Sequence, residues 1–408
     1  MEESNHPLHL PRNQAIDILR GFAISLVLFR HSHYLLPTTI FNYPIILQGT
    51  WSGVDLFFVI SGFVITLGLL PTLKAYSEGT YQAHQVLKAF FIRRFFRLLP
   101  LSWLALVLNL VFAFFYNQSG QFGVWSEVKT EILPILFYYY NYFVYRGGSG
   151  HLSWYWSLSI EEQFYIFYPF ILLVIPSNQV RIWGSVGIMV LITFILRPLL
   201  TPEFASVDHK LWPRFTTPSH LRFDCIIAGC LLGFLYFRVS QEKLRERLAN
   251  HHGFVRAISV ISLFGIATAG AILPHFELTS YPLIIFCSMV MVGLAILDEE
   301  FIVSFGLGKT MNWLGRRSYS IYLIHCITIS FMNETWFRLL GKQKGELTWI
   351  QGGIGLILAY GFSFIFAELA YHWIEKPCIR YGRRISDELF PMTHSFPLKS
   401  NEINSHSV

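Results

Sequence analysis

Charged residues are scarce in this sequence. Only 14% of its 408 residues are Asp, Glu, Lys or Arg, whereas 53% are hydrophobic. A soluble domain carries roughly 25% charged residues, so a soluble chain of this composition could not cover its surface with polar groups. The excess apolar surface must face lipid, and the sequence therefore predicts an integral membrane protein with membrane lipids as partners.

Cysteine is also scarce. Cys225, Cys230, Cys287, Cys326 and Cys378 form no CxxC pair, and all but the last lie within apolar runs. We interpret them as small buried residues and predict neither a disulfide framework nor a metal site. The sequence lacks GxxxxGK[ST], HExxH and GxSxG motifs as well, which excludes the nucleotide, metalloprotease and hydrolase sites that depend on them.

The formal net charge of +6 has two possible meanings. In a soluble protein it would suggest a nucleic-acid partner. Here the cations lie between apolar runs, so we interpret them as topology signals and predict no nucleic-acid binding.

Long apolar runs dominate the rest of the chain. A transmembrane helix needs about 20 largely apolar residues. We predict an all-α fold, a polytopic transmembrane helix bundle of about ten spans, at 14–36, 49–70, 98–117, 155–176, 182–201, 223–239, 256–273, 281–298, 318–337 and 349–373. The shorter, tyrosine-rich run 131–147 is predicted to lie at the interface or to re-enter the membrane.

Lys and Arg are concentrated in the loops on the side of the N-terminus. The positive-inside rule then predicts cytoplasmic termini, and a full span at 131–147 would place the basic loop 238–256 outside. We predict a cytoplasmic segment over 1–13, a transmembrane domain over 14–380 and a polar, disordered cytoplasmic tail over 381–408. The predicted location is the cell membrane, with multiple passes.

The first predicted span contains several ionisable side chains, each costing at least roughly 2.5–3.5 kcal/mol in hydrocarbon. Arg20 and His31 are separated by three helical turns plus about 20°, so both project from one face, with a rise of about 16–17 Å. Arg20 could grip a phosphate near the cytoplasm, and the deeper His31 could take a proton from a hydroxyl. Each alone could be structural, by snorkelling or lining the bundle, but the shared face favours function.

Two other motifs carry charge. Arg94 and Arg97 in RRFFRLLP are i, i+3 neighbours on one helix face. They could signal topology and contact anionic lipids, or they could bind the phosphates of a cytoplasmic donor. Glu161 and Glu162 in WSLSIEEQFY lie inside a predicted span, where two carboxylates facing lipid would not be tolerated. At least one of them should line a polar cavity, where it could orient a histidine or the acceptor.

Other polar residues also lie within the predicted spans. Asp55, Tyr319 and His325 are predicted to bind substrate, although Asp55 needs a cation partner to be tolerated. Gly53 and Gly62 in the same span are predicted to permit close helix packing.

Two pairs are predicted to be structural. Arg222 and Asp224 could neutralise each other at the membrane edge. Glu368, His372 and Glu375 are spaced i, i+4 and i+7 and are predicted to share one helix face, and the pair of Glu368 and His372 is interpreted as bundle polarity.

The order of these motifs resembles that of the acyltransferase-3 family of integral membrane acyltransferases, which includes many sugar O-acetyltransferases. The resemblance covers about residues 14–380. The matching stretches are LRGFAISLVLFRHS (19–32), GVDLFFVISGFVIT (53–66), RRFFRLLP (93–100), WSLSIEEQFYIFYP (156–169), RFDCIIAGCLLG (222–233), LGRRSYSIYLIH (314–325) and WIEKP (373–377).

The resemblance implies an acyl donor such as acetyl-CoA, met from the cytoplasmic side, and an acceptor hydroxyl on a polysaccharide, glycolipid precursor or small glycoside. It also implies that the Arg-x10-His pair is essential, and the family's motifs fall on Arg20, His31, Arg94, Arg97, Glu161 and Glu162. Some members carry a fused SGNH hydrolase-like domain. The chain stops soon after residue 380, so we expect the membrane part alone to complete the transfer.

The predicted function is therefore O-acyl transfer from acyl-CoA to a carbohydrate or glycoconjugate, without a metal. Arg20, Arg94 and Arg97 would hold the phosphates of the donor, and His31 would act as general base or briefly carry the acyl group. One alternative is a transporter or flippase-like protein, since buried charges also mark ion paths. Another is a non-catalytic acyl-CoA-binding subunit.

Overall fold

The structure is a computed structural model that describes residues 13–37, 49–201, 216–236, 238, 241–272, 276–297, 308–343 and 345–389. Throughout these ranges the chain forms helices joined by turns, and no strand occurs among them. The predicted all-α class is therefore confirmed.

The N-terminal half of the chain contains seven of the helices. They are α1 (Gln14–His31), α2 (Gly53–Ser77), α3 (Ala83–Phe115), α4 (Trp125–Leu136), α5 (Tyr140–Tyr145), α6 (Tyr155–Val174) and α7 (Asn178–Leu200). The first helix starts where the side chain of Asn13 accepts a hydrogen bond from the backbone N–H of Ile16 at 2.9 Å. This N-cap satisfies a backbone donor that the helix itself cannot pair.

The C-terminal half adds seven more helices within the described ranges. They are α8 (Phe223–Tyr236), α9 (Gln241–Ala249), α10 (His252–Ile272), α11 (Phe276–Leu297), α12 (Gly308–Arg316), α13 (Ser318–Leu340) and α14 (Trp349–Leu389). The last of these contains a π-helical turn at Tyr371–Glu375, so it joins an apolar segment to a polar one without a break.

Six helices of the described residues are long and apolar enough to cross a membrane. They are found at Gly49–Ser77, Ala83–Phe115, Asn178–Leu200, His252–Ile272, Thr279–Leu297 and Trp349–Leu389. Helices α1, α6, α8 and α13 cover the other predicted spans, and they are shorter or carry more polar residues. The membrane character is thus supported, whereas the span number of about ten and the orientation of the termini stay predictions.

Helix α1 lies at the centre of the bundle. Its residues Ala15, Leu19 and Ala23 belong to one buried apolar cluster, shared with α2, α6, α8 and α11. Its residues Ile24 and Val27 belong to a second, shared with α3, α6 and α13. The helix that carries Arg20 and His31 is therefore surrounded by protein rather than by lipid, which is where polar side chains are tolerated.

Glycines bring two helix pairs into backbone contact. A Cβ at Gly62 of α2 would overlap the carbonyl oxygen of Ile226 in α8, and a Cβ at Gly229 of α8 would overlap that of Val59 in α2. Gly53 likewise lies against the backbone of α1. The predicted packing role of Gly53 and Gly62 is confirmed, because only a residue without a side chain allows this approach.

A buried charge cluster joins α2, α7 and α8. Asp55 forms an ion pair with Arg222, and Arg197 pairs with Asp224 at 2.7 Å. The side chain of Tyr281 lies beside both guanidinium groups, at 4.1 Å from that of Arg197 and 4.6 Å from that of Arg222. The cation that Asp55 requires is therefore Arg222. The expected pairing of Arg222 with Asp224 is wrong, because Arg222 pairs with a carboxylate of α2 and Asp224 pairs with Arg197 of α7.

The segment 131–147 does not form one long helix. Helix α4 ends at Leu136, and α5 begins at Tyr140, with Tyr138 between them at a φ of 54°. Gln163 of α6 donates from its amide to the carbonyl of Tyr138 at 2.6 Å. The break agrees with the prediction that this run is not a full span.

Helix α14 extends beyond the predicted membrane domain. It continues to Leu389, so residues 381–389 of the predicted disordered tail belong to a helix. The rest of that tail, 390–408, lies outside the described residues, as do residues 1–12 of the predicted N-terminal segment.

Candidate active site

A cavity of about 1270 Å³ lies between α1, α2, α3, α6, α12, α13 and α14. Typical sites for small ligands measure roughly 300–1,000 Å³, so this one has room for a long molecule. Its walls combine apolar side chains of α2 with many cations. The basic residues lining it are Arg20, Arg94, Arg97, Arg316, Lys376, Arg380, Arg383 and Arg384.

Arg94 and Arg97 line one wall of the cavity from α3. The guanidinium of Arg94 lies 4.9 Å from the ring of Tyr165 and 5.7 Å from that of Phe90. Within the described part of the chain, neither arginine forms an ion pair. The aromatic faces thus orient a cation whose N–H groups are available for an anionic ligand.

Arg20 lines the same cavity from α1 and has an acidic neighbour. Its guanidinium lies 3.7 Å from Asp17, and that of Arg316 from α12 lies 3.9 Å from the same carboxylate. Two cations share one carboxylate here, so this part of the wall carries a net positive charge. Three cations were predicted to hold the donor phosphates, and all three line this one cavity: Arg20, Arg94 and Arg97.

The inner wall of the cavity contains Glu161 and Tyr322. The hydroxyl of Ser61 donates to the Glu161 carboxylate at 2.6 Å. Tyr322 donates to the carbonyl of Trp154 at 2.9 Å, and its hydroxyl lies 2.6 Å from that of Ser157. The cavity therefore changes from cationic to hydrogen-bonding towards its inner end.

Two histidines meet beyond this inner wall. The ring centroids of His31 and His325 are 4.9 Å apart and their planes are inclined by 65°, and Nδ1 of His31 lies 3.4 Å from Nε2 of His325. Nδ1 of His31 also lies 2.8 Å from the carbonyl of Val27, and Nδ1 of His325 lies 3.1 Å from that of Ile321. A carbonyl can only accept, so both neutral rings carry the proton on Nδ1. The Nε2 atom of His31 is then an acceptor, the form that a general base requires.

His31 does not line the cavity itself. Tyr322 lines the cavity and has its ring centroid 5.8 Å from that of His325, and His325 in turn contacts His31. Arg20 and His31 therefore lie at successive positions along one path. The prediction that both open into a single cavity holds in this structure for Arg20 alone.

His31, His325 and Cys326 bring their donor atoms within 4.8 Å of one another, and these are ligand types that bind Zn²⁺. The Cys326 thiol lies 3.2 Å from Nε2 of His325, at hydrogen-bonding distance for sulfur. The thiol can thus donate to the unprotonated Nε2 of His325. The expected absence of a metal stays a prediction.

Comparison with known proteins identifies the chain. The acyltransferase domain of the acyltransferase-3 family matches residues 13–368. The chain belongs to this family. The predicted family is thereby confirmed, and the match includes α1, α3, α6 and α13, which carry the motifs described above.

Two relatives illustrate the extent of the similarity. “Putative peptidoglycan O-acetyltransferase YrhL” of Bacillus subtilis is 26% identical over 94% of this chain and 57% of its own length. Peptidoglycan O-acetyltransferase OatA of Listeria monocytogenes is 26% identical over 90% of this chain and 56% of its own length. The chain thus spans little more than half the length of these relatives. No solved structure matches significantly.

The other predicted site residues of this acyltransferase-3 chain lie in three places. Tyr319 lines the cavity and donates to the carbonyl of Leu98 at 2.5 Å. Glu162 lies outside the lining but interacts electrostatically with Glu161 and Arg94. Asp55 is fully buried in the charge cluster with Arg222, away from the cavity lining.

Some residues of the candidate site were not predicted from the sequence. Ser61 and Ser157 are ordinary residues of a helix interior, and no spacing identifies them. The basic residues of α14 do have a signal, because KPCIRYGRR repeats cations at i, i+4 and i+7. That these residues line the cavity becomes clear only from the structure, in which α14 continues past the predicted membrane domain.

Proposed function

We propose that this chain is a membrane O-acyltransferase of the cell membrane that moves an acyl group, acetyl in the simplest case, from acyl-CoA to a hydroxyl of a carbohydrate or glycoconjugate. The observation that carries the proposal is a cation-lined cavity whose residue Tyr322 contacts His325, which in turn contacts the imidazole of His31. Membership of the acyltransferase-3 family and the names of its relatives support the type of reaction.

The donor phosphates bind to the arginines of the cavity. Among the described residues Arg94 and Arg97 form no ion pair, and Arg20, which lies beside Asp17, adds a third guanidinium group from α1. Guanidinium groups bind phosphate oxygens in a bidentate manner, so this wall suits the diphosphate of CoA. The pantetheine arm then extends along α1 towards Tyr322, and the thioester reaches the histidine pair.

His31 acts on the acceptor. Its Nε2 takes the proton of the acceptor hydroxyl as the oxygen attacks the thioester carbonyl. The carbon–sulfur bond breaks, and the departing thiolate receives a proton from the same imidazole, so the base is regenerated. Glu161, held by Ser61, orients polar groups of the substrates at the inner end of the cavity.

The acceptor is the less defined substrate. Peptidoglycan is the first to test, because two relatives carry that word in their names. A glycan acceptor would approach His31 from the side opposite to the donor cavity.

The test is transfer of a labelled acetyl group by the purified protein. Acetyl-CoA labelled in the acetyl group is incubated with the protein and with peptidoglycan fragments, and label in the glycan is measured. We expect transfer by the unmodified protein. His31→Ala should lower it by about 10²–10⁴-fold, the usual contribution of a general base.

The matched control is His251→Ala, which removes an exposed histidine from a loop. It should transfer normally. Transfer by His31→Ala at the rate of the unmodified protein would refute the assignment of the base. The absence of transfer from acetyl-CoA to any glycan would refute the proposed function.

A further inference from the structure

A basic face of α14 lines the mouth of the cavity. Lys376, Arg380 and Arg383 occur at i, i+4 and i+7, so their side chains share one side of the helix, and all three line the cavity. Their side chains are exposed. The acidic Asp387 and Glu388 line the same cavity. Among the described residues Lys376 and Arg380 form no ion pair, so these two cations are available to a ligand.

Packing on α3 holds this face in place. A Cβ at Gly382 would come within 2.6 Å of the side chain of Phe96, and the ring of Tyr381 lies 5.1 Å from the same phenylalanine. Arg93 donates to the hydroxyl of Ser386 at 3.2 Å. The polar segment of α14 is thus docked on the helix that carries the RRFFR arginines, and the two sets of cations border one space.

The π-helical turn at Tyr371–Glu375 directs this face towards the cavity. A π-turn adds one residue to a helical turn and rotates everything after it by about 100°. Glu375, at the end of the turn, accepts a hydrogen bond from Ser320 at 2.5 Å and is buried. The cations that follow extend about 12 Å farther along the helix axis, at a rise of about 1.5 Å per residue.

The cations of the cavity therefore form two groups at different depths. The inner group is Arg20, Arg94 and Arg97, and the outer group is Lys376, Arg380 and Arg383. The inner group is half-buried and the outer group is exposed. Coenzyme A also carries two anionic groups at different distances from its thioester. These are the diphosphate, next to the pantetheine arm, and the 3′-phosphate, on the far side of the ribose.

We propose that the outer group binds the 3′-phosphate of the donor, an inference that rests on the proposed function. A phosphate monoester carries a charge of about −1.5 to −2 at neutral pH and offers three strong acceptor oxygens. Lys376 and Arg380 supply matching cationic donors on one helix face. A thioester on a carrier protein has no 3′-phosphate, so the outer group selects CoA thioesters over carrier-protein thioesters.

The test compares CoA with 3′-dephospho-CoA. Dissociation constants of both ligands are measured with the purified full-length protein in detergent. The unmodified protein should bind CoA about tenfold more tightly than 3′-dephospho-CoA. Only CoA can form the charge-assisted hydrogen bonds to the outer group, and the exposure of that group limits their contribution. In the double variant Lys376→Gln/Arg380→Gln the affinity for CoA should fall until the two ligands bind equally, while the affinity for 3′-dephospho-CoA stays unchanged.

The matched control is Lys88→Gln, which removes an exposed cation from α3 outside the cavity lining. It should keep the tenfold preference. Equal affinities in the unmodified protein, or an equal loss for both ligands in the double variant, would overturn the inference while leaving CoA as donor. Absence of CoA binding would overturn the proposed donor as well.

An anionic lipid headgroup is the competing ligand for this face. If the double variant retains less phosphatidylglycerol through purification but keeps its preference for CoA, the face is a lipid site and the inference is wrong. If the preference for CoA disappears whether or not that lipid is added back, the inference is supported.

Discussion

At the scale of single residues, the histidine pair shows how the fold defines a base. Backbone carbonyls of Val27 and Ile321 accept from Nδ1 of the two rings, which leaves both Nε2 atoms without a proton. His325 is fully buried against His31, so it limits the orientations that the His31 ring can take. A ring fixed in this way needs little reorganisation when the acceptor arrives.

His325→Gln should therefore slow transfer without weakening donor binding. The catalytic constant should fall about 10–100-fold, because a base displaced by about 1 Å loses rate on that scale. The Michaelis constant for acetyl-CoA should be unchanged, since His325 does not line the donor cavity. Steady-state kinetics on the purified protein measure both values.

The control for this substitution is Cys326→Ala, which removes the thiol beside the same imidazole. It should retain most of the activity if the thiol only contacts His325. A rise in the Michaelis constant for acetyl-CoA in His325→Gln, with an unchanged catalytic constant, would contradict the positioning role and favour the direct substrate binding that the sequence suggested.

Several of these residues could be predicted from the sequence and others could not. Arg20 and His31 were identified because helical periodicity alone places them on one face. The contact between His31 and His325 could not be identified, since it joins residues 294 positions apart in the chain. Periodicity relates residues of the same helix, whereas contacts between helices depend on how the helices pack.

Asp55 illustrates the same limit. Its cost in a membrane predicted a cation partner, and the structure supplies Arg222, the residue that immediately precedes α8. The sequence favoured Asp224 for that arginine because the two residues are neighbours. Instead, Arg222 reaches α2, and Arg197 of α7 takes Asp224, so the two ion pairs connect three helices.

Asp55→Asn should accordingly destabilise the protein. Removing one partner of a buried ion pair leaves an uncompensated charge and costs about 3–5 kcal/mol. Thermal unfolding in detergent should show a clearly lower midpoint. Glu78→Gln, which breaks the exposed pair between Lys74 and Glu78, should change stability by less than about 1 kcal/mol. Equal midpoints for Asp55→Asn and the unmodified protein would leave substrate binding as the remaining role of Asp55.

At the scale of helices, close backbone approach determines which helices are neighbours. Gly62 and Gly229 allow α2 and α8 to meet. Gly21 and Gly315 do the same for α1 and α12, since a Cβ on either would overlap backbone of the other helix. The second contact brings Arg316 next to Asp17 and thereby completes one wall of the donor cavity.

Gly62→Leu should separate α2 from α8. A side chain has no room at this position, so the helices must move apart, at a cost of about 1–3 kcal/mol or more. The midpoint of thermal unfolding should fall. Gly68→Leu provides the matched control on the same helix, because nothing lies within 4 Å of a Cβ there. Similar midpoints for the two variants would contradict the packing role.

The helix α14 shows where helical periodicity stops being reliable. The sequence correctly predicts the pair of Glu368 and His372, whose atoms are 2.9 Å apart. Continued at 3.6 residues per turn, the same face would include Glu375, but the π-turn points Glu375 to Ser320 instead. A π-turn has no strong sequence signal, so the basic residues after it could not be assigned to the cavity.

At the scale of the whole molecule, the orientation in the membrane determines which compartment supplies the donor. The cavity is lined by the N-terminal parts of α1 and α3 and by the C-terminal part of α14. If the N-terminus is cytoplasmic, as the distribution of Lys and Arg predicts, these parts face the cytoplasm. Acyl-CoA would then enter directly from the compartment where it is made.

This orientation can be tested with single cysteines in a Cys378→Ser background, where the four remaining native cysteines are buried. Ser77 ends α2, shortly before α3, and should be cytoplasmic, whereas Ser126 on α4 should be outside. Both are exposed. In intact cells a membrane-impermeant maleimide should label Ser126→Cys at once, but Ser77→Cys only after permeabilisation. The reverse pattern would place the cationic cavity outside the cell and exclude cytoplasmic acyl-CoA as its direct ligand.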